Sequence, residues 1–161
     1  MGVGSKSLLY SMIQAIDGDI LLPKPSWVSY SSIATMCNKS IKRFYLDKDN
    51  GYKLNIESLK SAYSSAKING INPSMLVLNS PNNPVGNSFS KPDIELAAYW
   101  AQENEITILS DEIYGLITFK GNKHYTPLSH YPGKTIVFSG LSKHLSLGGW
   151  RLGISILPRN T

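Results

Sequence analysis

The sequence predicts an α/β protein: one mostly parallel sheet, three layers deep, with helices on both faces. Three observations predict it. The apolar runs Met75–Leu78, Ile106–Leu109 and Thr135–Phe138 read as buried strands, and segments of helical period precede the first and separate it from the second. Hydrophobic residues make up 42% of the 161 residues and charged ones 17%, enough apolar surface for one domain with a real core. No internal repeat, low-complexity tract or linker divides the chain. Strands alternating with helices imply parallel pairing and right-handed crossovers.

Each element has a local cause. Leu8, Leu9, Met12, Ile13 and Ile16 recur at helical spacing, and Gly4-Ser5-Lys6 opens that helix. Gly18-Asp19 ends it and introduces a strand at Ile20–Leu22, which Pro23 and Pro25 are expected to break. Ile41–Tyr45 is a second strand. Ile56, Leu59, Tyr63 and Ala66 mark a helix with Asn55 as its N-cap. Ser90-Lys91-Pro92-Asp93 reads as a capped helix start, and Ile94, Ala97, Ala98 and Ala101 form the inner face behind it. Gly153–Leu157 is taken as a further buried strand. The polar stretch from Lys120 to Lys134 is a loop with room for a short helix.

Composition excludes several classes. The formal charge is +5, and its densest cluster, Lys39, Lys42 and Arg43, reads as a solvated face, so no nucleic-acid partner is expected. Cys37 is the only cysteine, which rules out an intrachain disulfide and suits a reducing compartment; the expected location is cytoplasmic. No apolar run reaches the roughly 18 residues of a membrane span, and no signal peptide is evident. Met1-Gly2 is not a myristoylation signal, because position 6 is Lys. His124, His130 and His144 lack metal-ligand spacing, so no metal is expected.

The chemistry lies at the strand ends. Asn83, in Asn82-Asn83-Pro84-Val85-Gly86, follows the Met75–Leu78 strand. Asp111 and Tyr114, in Ser110-Asp111-Glu112-Ile113-Tyr114, follow Ile106–Leu109. Ser142-Lys143 follows Thr135–Phe138, and Gly149-Trp150-Arg151-Leu152-Gly153 comes next. Ligands of open α/β sheets bind beyond the carboxyl ends of the strands. An amine, a guanidinium, a carboxylate, an amide and a phenol gathered there are the donor set that pyridoxal phosphate needs. The glycines around Lys6 suggest a nucleotide P-loop only superficially, because Lys6 is not preceded by Gly.

In these motifs, from Gly4 to Pro158, the chain resembles the class I/II aminotransferases, fold-type I pyridoxal phosphate enzymes of the aspartate aminotransferase kind. The resemblance implies that Lys143 forms a Schiff base with the cofactor aldehyde and then moves a proton as the amino group is passed to a 2-oxo acid. It implies that Arg151 and the Gly4-Ser5-Lys6 turn hold the phosphate. Asp111 would pair with the pyridine nitrogen, Tyr114 and Asn83 would reach the ring oxygen, and Trp27 would stack on the ring. Ser142, next to the lysine, completes the cofactor contacts. Amino acids and 2-oxo acids are the implied substrates, and the full-length form is implied to be a homodimer.

Against that family, residues 1–161 resemble part of the cofactor-binding large domain, without the small C-terminal domain and its arginine for the substrate carboxylate. A sheet without its edge strand and dimer surface would expose apolar area. Gly140, three residues before Lys143, stands where many relatives carry a phosphate-touching Ser. Two other readings stay open. One is a carbon–sulfur lyase or synthase of the same fold. The other is an inactive remnant or partner subunit.

Overall fold

The computed structural model describes residues 1–159; residues 160 and 161, the end of the expected 1–161 unit, lie outside the described residues. Seven strands form one sheet: β1 (Gly2–Val3), β2 (Asp19–Lys24), β3 (Ile41–Tyr45), β4 (Pro73–Asn79), β5 (Thr107–Asp111), β6 (Thr135–Gly140) and β7 (Leu152–Ile156). Their spatial order is β1-β7-β6-β5-β4-β2-β3. The five strands from β6 to β3 are mutually parallel, while β7 pairs antiparallel with β6 and β1 antiparallel with β7. Four helices cover the sheet: α1 (Gly4–Ala15), α2 (Ser29–Met36), α3 (Ile56–Ile68) and α4 (Lys91–Glu103).

The period-2 alternation of the strands divides the core between two faces. Ile20, Leu22, Met75, Val77, Leu109 and Phe138 point to one face and pack with Leu9 and Ile13 of α1 and Tyr30 and Ile33 of α2. Leu21, Phe44, Leu76, Leu78 and Ile108 point to the other, where they meet Leu59 of α3 and Ile94, Ala97, Ala98 and Ala101 of α4. This is the three-layer arrangement the sequence predicts. Trp100 packs edge-to-face on Tyr63, with centroids 5.3 Å apart.

The helix ends follow local chemistry. Asn55 accepts from the Ser58 amide, as an N-cap does. Ser90 and Asp93 form a reciprocal capping box at the start of α4. Each cation of the dense cluster has a local acceptor: Lys39 on the Ile16 carbonyl, Lys42 on Ser65 Oγ and Arg43 on Ser31 Oγ. No helix among the described residues is long and apolar enough to cross a membrane.

Three details differ from expectation, and a fourth, the Lys120–Lys134 loop, refines it. Pro23 does not break its strand, since β2 runs to Lys24. The Ile20 amide donates toward β3, so Pro23, of opposite parity, faces β4, where pairing has already ended at Leu21. The helix α2 was not expected; Tyr30, Ile33 and Ala34 carry its short buried stripe. The loop from Lys120 to Lys134 holds two single 3₁₀ turns, Pro127–Ser129 and Pro132–Lys134. And the last strand is not a buried one: of β7 only Gly153 is buried, while Ile156 and the following Leu157 are about half exposed. Its outer neighbour is the two-residue β1, too short to cover it. Val3 and Trp150 are also exposed.

Candidate active site

The sheet reverses its order of connection at β2: the chain passes outward to β3, then returns to add β4, β5 and β6 on the other side. At such a switch point the loops beyond the strand ends part and leave a crevice. A cavity of about 190 Å³ lies there, lined by Ser5, Lys6, Trp27, Asn83, Asp111, Tyr114, Ser142, Lys143 and Arg151, together with Tyr30, Asn79 and Ile113. Every residue singled out from the sequence lines it except Gly4, which lies directly behind Arg151.

Asp111 ends β5 and is 3% exposed. Its Oδ2 accepts from the Tyr30 hydroxyl at 2.7 Å and its Oδ1 from the Ile113 amide at 3.2 Å. Burial raises the carboxyl above its ordinary range, and the bonds from Tyr30 and Ile113 and the Lys143 charge only partly oppose that. Burial also pushes the Tyr30 phenol well up, helped by the neighbouring Asp111 charge. Tyr30 therefore stays a donor to the carboxylate.

Asn79 is the second residue that sequence reasoning missed. Its Nδ2 donates to the Asp111 carbonyl at 2.9 Å, and its Oδ1 accepts from the Asn83 amide at 2.8 Å. One buried amide thus joins the ends of β4 and β5 and fixes Asn83 relative to Asp111. Both omissions had a faint signal: Tyr30 stands three residues after Trp27, and Asn79 ends a buried strand.

The ammonium of Lys143 lies 5.6 Å from the centroid of the Tyr114 ring, in the turn that follows β6. The ammonium of Lys6 lies 4.9 Å from the centroid of Trp27, and the same indole packs edge-to-face on Tyr30. Lys6 and Trp27 therefore share one wall of the cavity.

The start of α1 and Arg151 form a cationic corner. Among the described residues no side chain caps α1, and its first turn holds no acid, so the amides that follow Gly4 and the positive dipole end are left open toward the cavity. Arg151 has φ 52°, a left-handed conformation uncommon for a residue that carries a Cβ. That conformation lets its carbonyl accept from the Gly4 amide at 2.7 Å while Nη1 donates to the Gly148 carbonyl at 2.9 Å. A Cβ on Gly4 would lie 2.6 Å from Nη2, and Gly4 itself has φ 74°. Gly4→Ala is expected to cost about 1–2 kcal/mol for the left-handed backbone alone and to displace the guanidinium. Thermal unfolding and inorganic phosphate binding, measured side by side, would both fall in that variant.

The glycine at 140 has a steric reason. A Cβ there would lie 2.7 Å from the Leu152 carbonyl, so the close approach of β7 leaves no room for a side chain. His124 does not reach a metal site but bonds Glu112. His144 buries its Nδ1 without a partner. Among the described residues, no group of three or more His, Cys, Asp or Glu could hold a metal ion.

The model of the aminotransferase class I and II family matches residues 1–160. The chain belongs to that family. Within it, a Streptococcus mutans protein named asparagine–oxo-acid transaminase is 35% identical over 97% of this chain. The aspartate aminotransferase of Bacillus sp. strain YM-2 is 33% identical over 95%. The Thermus thermophilus aspartate aminotransferase solved with maleate superposes on 98% of the chain with a TM-score of 0.89 at 30% identity. The large-domain fold of this family is therefore the fold of this chain. The chain spans 40%, 39% and 40% of the length of those three proteins.

Proposed function

We propose that the protein is a pyridoxal phosphate-dependent aminotransferase that passes an amino group from an amino acid to a 2-oxo acid. Residues 1–161 are read as part of its cofactor-binding large domain, working as a homodimer in the full-length form. One observation carries this reading: Lys143, Arg151, Asp111, Asn83, Tyr114 and Trp27, from separate segments of the sequence, line one cavity. The printed names of the relatives, transaminases of aspartate or asparagine and oxo acids, support the same class.

The residues fit the cofactor. Arg151 and the uncapped start of α1 offer a cationic, amide-lined corner for a phosphate, and Gly4 lacks the Cβ that would fill it. When bound, the cofactor supplies an aldehyde for amine exchange and an electron-withdrawing ring. Lys143 is the amine we assign to that aldehyde. Its Nζ would be the base that takes a proton from the substrate Cα and returns it. Asp111, oriented by Tyr30, would hold a proton on the ring nitrogen. Asn83 and Tyr114 would donate to the ring oxygen. Trp27 supports the ring face, and the Lys6 ammonium beside it adds to the positive field around the phosphate.

The test is an absorbance titration of the purified protein with pyridoxal phosphate, then with an amino acid, then with a 2-oxo acid. A visible band that the amino acid bleaches and the 2-oxo acid restores is the expected result. Bleaching with steady release of ammonia or sulfide, and no restoration, would replace transamination by lyase chemistry.

A further inference from the structure

We propose that Glu112 and His124 are positioning residues for Tyr114: from the far face of the sheet, they fix the turn that presents its phenol to the cavity. The proposal rests on the reading of Tyr114 as a cofactor contact.

Strand parity separates Glu112 from the cavity. Asp111, Ile113 and Tyr114 line it, whereas Glu112 bonds Ser110, on the sheet face of Ile108. There the Glu112 carboxylate is a hub for three side chains. Oε1 accepts from Ser110 Oγ at 2.9 Å and from Thr126 Oγ1 at 2.5 Å, and Oε2 meets His124 Nε2 at 2.7 Å. Glu112 and His124 are only 12% and 18% exposed, so these charge-assisted bonds are shielded from solvent. His124 Nδ1 is buried with no partner among the described residues, which leaves Glu112 as the hydrogen bond that orients the ring.

The hub acts directly on the turn. The Glu112 amide donates to the Phe138 carbonyl at 2.8 Å, and its carbonyl accepts from the Gly115 amide at 2.8 Å. Tyr114 lies inside that hydrogen-bonded turn. The His124 ring then closes on Gly115 from outside: a Cβ at Gly115 would lie 3.1 Å from both imidazole Nε2 and the Glu112 carbonyl. Beyond the turn, Leu116 and Phe119 are exposed and give the excursion little packing of its own. The return limb at His124 and Thr126, tied to Glu112, is what holds it down.

The test uses protein labelled with 3-fluorotyrosine, cofactor-free, with the Tyr114 ¹⁹F resonance assigned by its loss in Tyr114→Phe. Glu112→Ala and His124→Ala should move or broaden that resonance and leave Tyr30 in place. Glu112→Gln should keep it, because the amide can accept from Thr126 and donate to the other tautomer of His124. In the same series the pyridoxal phosphate Kd should rise roughly ten-fold for the Ala variants and stay near wild type for Gln. Folded Ala variants with an unmoved Tyr114 resonance would overturn the proposal. If Glu112→Ala does not fold, His124→Asn asks the same question, since it removes the ring from Gly115, and an unmoved resonance there overturns it equally. A Tyr114→Phe variant that binds the cofactor like wild type would instead sink the reading of Tyr114, whatever the fluorine spectra show.

Discussion

Lys143→Ala is expected to abolish the visible absorption band of protein mixed with pyridoxal phosphate and to remove amino-group transfer. The reason is chemical. Of the lysines, only Lys6 and Lys143 line the cavity; Lys6 sits over Trp27 on the wall that holds the start of α1, whereas Lys143 lies beside the aromatic ring of Tyr114, where its charge acts on the buried carboxylate of Asp111. Loss of a positioned proton-transfer group alone costs about 10²–10⁴-fold in rate, and loss of the amine that anchors the cofactor adds to it. Cofactor affinity should fall less steeply, since Arg151 and the start of α1 remain. The measurement is the difference spectrum of wild type and variant under identical cofactor. A variant with an undiminished band that an amino acid still bleaches would remove Lys143 from the mechanism.

Asp111→Asn is expected to stabilise the cofactor-free protein while crippling the site. Burial raises the folded-state pKa of Asp111 above its unfolded value. Between those two values the native state binds more protons than the unfolded one, so native stability falls as pH rises through that window. Below it, where the carboxyl is protonated in both states, the substitution changes little. Above it the wild type carries a buried charge that Asn does not, so the difference grows with pH and then levels off. The amide can still meet both partners, accepting from the Ile113 amide and donating to the Tyr30 oxygen. Each kcal/mol gained moves the melting midpoint by about 2–4 °C in a chain of this size. With the charge gone the ring nitrogen loses its partner, and bleaching of the band by an amino acid should slow about 10²–10³-fold. Melting curves of both proteins across acid to neutral pH would check the first part; equal midpoints at neutral pH would contradict it.

The architecture was legible because both faces of the sheet are buried. Runs such as Met75–Leu78 can only be strands with cover above and below, and the alternating helices supply it. The site was legible because its residues sit at strand ends, where sequence order alone brings them together. What escaped had weaker local signatures. The direction of β7 depends on its pairing with β6, and no residue in Gly153–Leu157 encodes that. Pro23 was misread because its tolerance depends on which neighbour its missing amide would have faced. Tyr30 and Asn79 act through hydrogen bonds to residues distant in sequence, 81 and 32 positions away, which no motif of adjacent residues displays.

The pairing of β1 with β7 also has a consequence for synthesis. Gly2 lies in register with Gly153, and the Gly4 amide bonds the Arg151 carbonyl, so the cationic corner joins opposite ends of the described chain. A ribosome delivers its two halves many seconds apart, at about 5–20 residues per second. Until Arg151 and the strand after it emerge, α1 lacks β7, the strand it packs against most closely, and has no partner for its first turn. The corner that would receive a phosphate therefore closes only once Arg151 has been made, and cofactor capture should follow translation of that segment instead of guiding the earlier folding steps.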